Sequence, residues 1–286
     1  MSGPSFWADE VKTMKNALKT AVLLAALGAL FMGIGVLLGG ETGLLIGLII
    51  GLAFVGGSYW FSDTLAIKAA RAVPASREEL PQVYAIVEDL TQRADMPMPK
   101  IYVSPEMQPN AFATGRSPHH AAVAVTQGIL QVLNDDELRG VLAHELSHVK
   151  NRDILIGSVA AAVAMGITWV TYIALWFGDD DNPIAGLLTL LLAPIAASLL
   201  QMALSRSREF QADASGAHLL HDGQSLAGAL EKIEASVKQR PMDINPAQAQ
   251  AYIVNPLTGR KMQFANLFST HPPTAERIRR LRTETY

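Results

Sequence analysis

The sequence predicts an α+β membrane protein: four transmembrane helices in two hairpins, and a mainly helical domain built from the polar segments on one side of the bilayer. Three observations carry this. The 286 residues are half hydrophobic and only 17% charged, too apolar for an ordinary soluble chain of this length. Four stretches lack any charged side chain, Thr20–Leu38, Thr42–Phe61, Ile154–Phe177 and Ile184–Leu204, and run for 19, 20, 24 and 21 residues, each long enough to cross a bilayer as a helix. All 23 lysines and arginines fall outside these hairpins, as the positive-inside rule expects of segments kept on the cytoplasmic side.

In chain order, residues 1–19 read as a cytosolic leader, amphipathic or disordered at its start. The first hairpin occupies residues 20–61, its arms joined by Gly39, Gly40 and Glu41. Residues 62–153 are expected to form the first part of a domain outside the bilayer. The second hairpin, residues 154–204, turns at the acidic stretch from Gly178 to Pro183, and residues 205–286 form the second part of the domain. The basic residues divide as 3, 9 and 11 among the three polar segments, with none at the hairpin tips, so the N-terminus, both polar segments and the C-terminus are expected in the cytoplasm. A signal peptide is not expected, since its apolar region would be shorter and followed by a small-residue cleavage site.

The net charge of −3 leaves no global basic surface for nucleic acid. With no cysteine, disulfides, thiolate-bound metal and thiol catalysis are excluded, leaving histidine and carboxylate as the strong metal ligands.

Asn134 to Glu137 has the form of a helix start: a capping residue, an acidic first turn, and Glu three positions on, followed by Leu138, Val141, Leu142 and Leu146. The helix carries His144-Glu145-Leu146-Ser147-His148. Four residues are one turn, so both imidazoles project from one face and can share a zinc ion, with Glu145 alongside as general base and acid. This composition would produce the pattern by chance with a probability of roughly 0.015. Eight charged residues between Asp135 and Asp153 keep this helix out of lipid, which puts the metal at the membrane surface.

Antiparallel spans return the chain to the depth at which it left. His148 lies six residues before the second hairpin and Glu209 five residues after it, which makes Glu209 the candidate third ligand. Asp213 is one turn further on the same face, placed to hold a ligand histidine by its other ring nitrogen.

With these residues in view, the chain resembles the HtpX-type membrane metallopeptidases, relatives of the CAAX prenyl-protein endopeptidases. The resemblance runs through Asn110-Ala111-Phe112-Ala113-Thr114-Gly115, the His144 to His148 motif, Glu209 to Asp213, and Phe268-Ser269-Thr270-His271-Pro272-Pro273-Thr274. It implies a zincin-like catalytic domain with a small edge-strand sheet and one zinc ion per chain on His144, His148 and Glu209. It also implies a multi-pass protein of the bacterial inner membrane that hydrolyses misfolded or damaged membrane proteins in quality control and stress response.

The resemblance further implies an edge strand from Asn110 to Thr114, with Asn110 and Ala111 toward the substrate, and a second strand from Ala121 to Thr126 after a turn holding His119 and His120. His271 is implied as a donor to the developing oxyanion; read alone, a histidine before two prolines is a loop or capping residue. His119 and His120 are expected as exposed turn residues, and Arg277, Arg279, Arg280 and Arg282 as a solvated helix face. The alternatives are a narrow-specificity processing protease of the CAAX type and a catalytically silent membrane adaptor; Glu145 argues against the latter. Substrates and oligomeric state are not legible.

Overall fold

In a computed structural model, residues 4–151, 153–154, 206–240, 252–254 and 272–286 are described. The chain divides into two compact units, Met1–Ser62 with Leu155–Ala203, and Asp63–Ile154 with Leu204–Tyr286.

In the first unit, α1 (Pro4–Trp60) is two helical arms joined where Gly39 and Gly40 leave helical geometry, Gly40 at φ 58°. That left-handed conformation is costly for residues with a Cβ and open to glycine. Helix begins at Pro4, within the expected leader, and runs on into the first arm. The arms meet along small residues. A Cβ on Gly43 would overlap the carbonyl of Gly35, and one on Gly47 the carbonyl of Phe31, the close backbone approach that helix pairs in lipid favour. Phe31 and Phe54 close the contact with ring centroids 5.3 Å apart. Leu45, Ile46, Ile49, Ile50 and Leu52 stay exposed, as suits a face turned to acyl chains. Among the described residues one stretch, Gly39–Gly57, is long and apolar enough to cross a membrane, and a shorter apolar one, Leu24–Gly33, precedes it. Of the four predicted spans, Ile154–Phe177 and Ile184–Leu204 lie outside the described residues apart from Ile154.

The second unit mixes helices with a sheet. After α2 (Ser62–Ala69) come β1 (Val73–Pro74), α3 (Pro81–Ala94), β2 (Lys100–Ser104), β3 (Ala111–Gly115), β4 (Ala121–Thr126), α4 (Gln127–Val132), α5 (Asp135–Lys150), α6 (Arg206–Leu220), α7 (Gln224–Gln239) and α8 (Thr274–Thr283). The strand order is β1-β2-β4-β3. β2 and β4 are parallel, whereas β3 pairs antiparallel with β4 in the register Ala113↔Val123. Every residue of β4 is buried. Val123 and Val125 join the main core, and Ala122 and Ala124 pack on the opposite face with Ile67, the period of two that a central strand requires. Among the described residues β3 has a strand partner on one side only, so within them the segment expected at the edge forms the edge.

α3 presents Val83, Ile86, Val87, Leu90 and Ala94 to the core, a stripe at helical spacing. α5 starts on a capping box: the Asn134 side chain accepts from the Glu137 amide and the Glu137 side chain accepts from the Asn134 amide, both at 2.9 Å. It packs against α3, α6, α7 and β3. Bare backbone permits this at two points, because a Cβ on Gly140 would stand 2.6 Å from the Leu226 amide nitrogen and one on Gly216 3.0 Å from that of His144.

Candidate metal centre

α5 and α6 bring three predicted residues together. The Nε2 atoms of His144 and His148 lie 3.2 Å apart. Glu209 places Oε2 3.7 Å from His144 Nε2 and Oε1 3.6 Å from His148 Nε2. Two ring nitrogens aimed at one another share either a proton or a metal cation, and the carboxylate beside them makes up a set of three donors that could hold a metal ion. A tetrahedral zinc at ~2.0–2.1 Å from each donor would set those donors roughly 3.4 Å apart, so the residues present fit a metal ion of this kind. The group His144, His148 and Glu209 is the candidate metal cluster among the described residues.

Each imidazole is backed by a carboxylate. Asp213 Oδ1 stands 2.9 Å from His144 Nδ1, in close contact though not aligned as a hydrogen bond. Asp153 lies 3.1 and 3.2 Å from His148 Nδ1 through its two oxygens. Such partners fix the ring and turn the Nε2 lone pair toward the metal. Burial opposes charge on His148, but Asp153, Glu209 and Glu145 outweigh it and the ring is pushed up to about 10.

Asp213 is itself gripped. Arg277 donates from Nε to Oδ2 at 2.9 Å and from Nη2 to Oδ1 at 2.7 Å, and its Nη1 donates to the Ile253 carbonyl at 3.1 Å. Against the cost of burial, the guanidinium holds the Asp213 carboxyl well below the usual carboxylate range. The expected solvated arginine face is corrected here. Arg277 is 1% exposed, in register with buried Leu281 one turn on, while Arg279 and Arg280 pair with Glu276 and Arg282 with Glu231 at the surface. That four-residue spacing to Leu281 was the available sign.

Asp153 was also missed as a partner of His148. It follows the end of α5, where its amide donates to the His148 carbonyl, a local turn that residue spacing does not announce.

Glu145 is 7% exposed, and its Oε2 accepts from the Ala113 amide of β3 at 3.0 Å. This glutamate is thereby tied to the edge strand. Asn110 lies just before β3, is buried, and accepts at Oδ1 from the Ile253 amide at 3.0 Å; Ala111 is the first residue of β3 and buried. His119 and His120 are exposed in a short turn. His218 packs edge-on against Tyr286. His271 lies outside the described residues.

The family model for Peptidase family M48 matches residues 77–285. The chain belongs to peptidase family M48. It is 49% identical to a Protease HtpX homolog of Pelotomaculum thermopropionicum over 93% of this chain and 98% of that one. It is 50% identical to that of Syntrophobacter fumaroxidans, over 94% and 100%, and 50% identical to that of Methylibium petroleiphilum, over 94% and 97%. Among solved structures it is similar in fold to S. mikatae Ste24p, with a TM-score of 0.51 at 20% identity, covering 94% of this chain and 66% of that one. This M48 chain is thus a membrane metallopeptidase of mixed helix and sheet, with a histidine and glutamate cluster able to hold a metal ion.

Proposed function

We propose that the chain is a zinc endopeptidase of the bacterial inner membrane, with four spans and a cytosolic catalytic domain, that hydrolyses peptide bonds of misfolded or damaged membrane proteins. The observation that carries the reading is the joining of two features in one place: three convergent donor side chains, and a glutamate one residue along the same helix tied to an edge strand.

His144, His148 and Glu209 would hold the zinc. The chemistry such an ion supplies is Lewis acidity toward a carbonyl oxygen and a lowered pKa for water. The remaining work falls to the protein. Ala113 fixes one oxygen of Glu145, so that this carboxylate is oriented to take a proton from the attacking water and return it to the leaving amine. Asp213 and Asp153 keep the two imidazoles in the orientation that points Nε2 inward. β3 offers its outer side to an extended substrate through main-chain hydrogen bonds, a recognition that ignores side-chain identity and suits unfolded sequences.

The test is degradation of an unfolded model protein by the detergent-purified full chain with zinc, beside Glu145→Gln. The wild type is expected to cleave, and the variant to bind zinc and lose at least about 100-fold in rate, the scale of a general base. Cleavage by Glu145→Gln at the wild-type rate would overturn the mechanism. Stoichiometric zinc without cleavage of any unfolded protein would shift the reading to a narrow processing enzyme.

A further inference from the structure

Arg208 precedes the candidate ligand Glu209 and has an unusual environment. Its Nη1 and Nη2 are both buried and neither has a hydrogen-bond partner. Its electrostatic neighbours are Asp153 and Glu209, one backing a ligand histidine and the other a ligand. A guanidinium withdrawn from water with unused donors is costly, and it contributes nothing here as a bonded pair. What it does supply is a fixed positive charge beside two carboxylates.

The charges at the centre give that a meaning. Among the described residues, four buried carboxylates surround the site: Glu145, Asp153, Glu209 and Asp213, between 4% and 8% exposed. Two guanidiniums interact with them: Arg277, hydrogen-bonded to Asp213, also feels the charges of Glu209 and Glu145, and Arg208 those of Asp153 and Glu209. Four negative and two positive charges leave a deficit that one divalent cation cancels. Arg277 acts through a two-pronged hydrogen bond, whereas neither Nη of Arg208 makes one.

We propose that Arg208 is a positioning residue that acts by charge: it brings the metal-loaded centre to neutrality, so that a divalent cation is held less tightly and stays more electrophilic than the carboxylates alone would leave it. The inference deepens the metallopeptidase reading above and rests on it. Its sign separates it from a structural role. Removing a residue that merely supports the fold weakens metal binding, whereas removing an opposing charge strengthens it.

The experiment measures the zinc dissociation constant of the full chain in detergent by competition with a chromophoric chelator, for wild type, Arg208→Gln and Arg208→Lys. Arg208→Gln is expected to bind zinc about tenfold or more tightly, the scale of one unit charge acting on a dication across several ångströms of partly screened protein. Arg208→Lys, which restores the charge without the planar fork, is expected within about threefold of wild type. Weaker or unchanged zinc binding by Arg208→Gln overturns the proposal while leaving the metallopeptidase reading intact. Should Arg208→Gln fail to fold, Arg208→Met puts the same question with an apolar chain, and failure of both makes the arginine structural and overturns the proposal. A wild-type chain that holds no zinc overturns the metal reading itself, and the proposal with it.

Discussion

Each imidazole of the centre is held from behind by a carboxylate, and the two carboxylates are held differently. Asp213 is clamped by buried Arg277, whereas Asp153 sits at a helix end with both oxygens on His148. Asp213→Asn is expected to weaken zinc binding by about 10–100-fold, the range for partners of metal-ligating histidines; chelator competition reads this directly, and an unchanged dissociation constant would remove Asp213 from the site's support. His148 makes a second prediction. Its ring is raised from 6.5 to about 10 in the metal-free protein, where burial opposes the charge and Asp153, Glu209 and Glu145 overcome it. The protonated ring therefore contributes stability that is complete below pH 6.5 and is lost as pH rises toward 10. Thermal unfolding of chelator-stripped protein should show Tm falling across that window. With zinc bound, the ring is held neutral and this fall should vanish, while zinc uptake near neutral pH should release a proton, visible as a dependence of the binding heat on buffer ionisation.

At the scale of elements, the site depends on how closely three helices approach. α5 carries two ligands, α6 carries Glu209 and Asp213, and the approach is set by Gly216 against His144 and by Gly140 against Leu226. Gly140→Ala sets a methyl 2.6 Å from the backbone of α7 and is expected to cost about 1–3 kcal/mol as the helices part. Gly216→Ala meets a milder 3.0 Å contact, but its neighbour is the backbone of a ligand residue, so it should raise the zinc dissociation constant more than it lowers Tm. Equal effects of both variants on both readouts would deny that the helix spacing tunes the centre. These elements also show what the sequence makes legible. α5 was readable to its first residue, because the capping box and the four-residue histidine spacing are local. Glu209, 61 positions beyond His148, was reachable only by expecting the apolar segment between them to form a hairpin that returns the chain to its starting depth. The strand order, with β2 parallel to β4 and β3 outermost, depends on pairings between separate segments and has no local sign. Arg277 was misread for the same reason, since its partner lies 64 residues away and an arginine among arginines suggests solvent.

For the whole molecule, charge placement predicts an orientation that packing within either unit leaves open. Lysine and arginine number 3, 9 and 11 in the three polar segments and none at the two expected hairpin tips, an asymmetry from which the positive-inside rule predicts the termini and the metal centre in the cytoplasm. The absence of cysteine makes this directly measurable, because a single introduced thiol is then the only one in the chain. Glu41→Cys beside the bend at Gly39 and Gly40, His119→Cys in the exposed turn before β4, and Tyr286→Cys at the C-terminus report three points of the topology. A membrane-impermeant maleimide is expected to label Glu41→Cys in intact spheroplasts, and the other two only after lysis. Labelling of His119→Cys from outside would turn the metal centre to the opposite face, where its substrates would be the exported parts of membrane proteins. Labelling of Glu41→Cys only after lysis would deny that the first helical hairpin crosses the bilayer, and would leave its exposed Leu45, Ile46, Ile49 and Leu52 to be covered by protein instead of lipid.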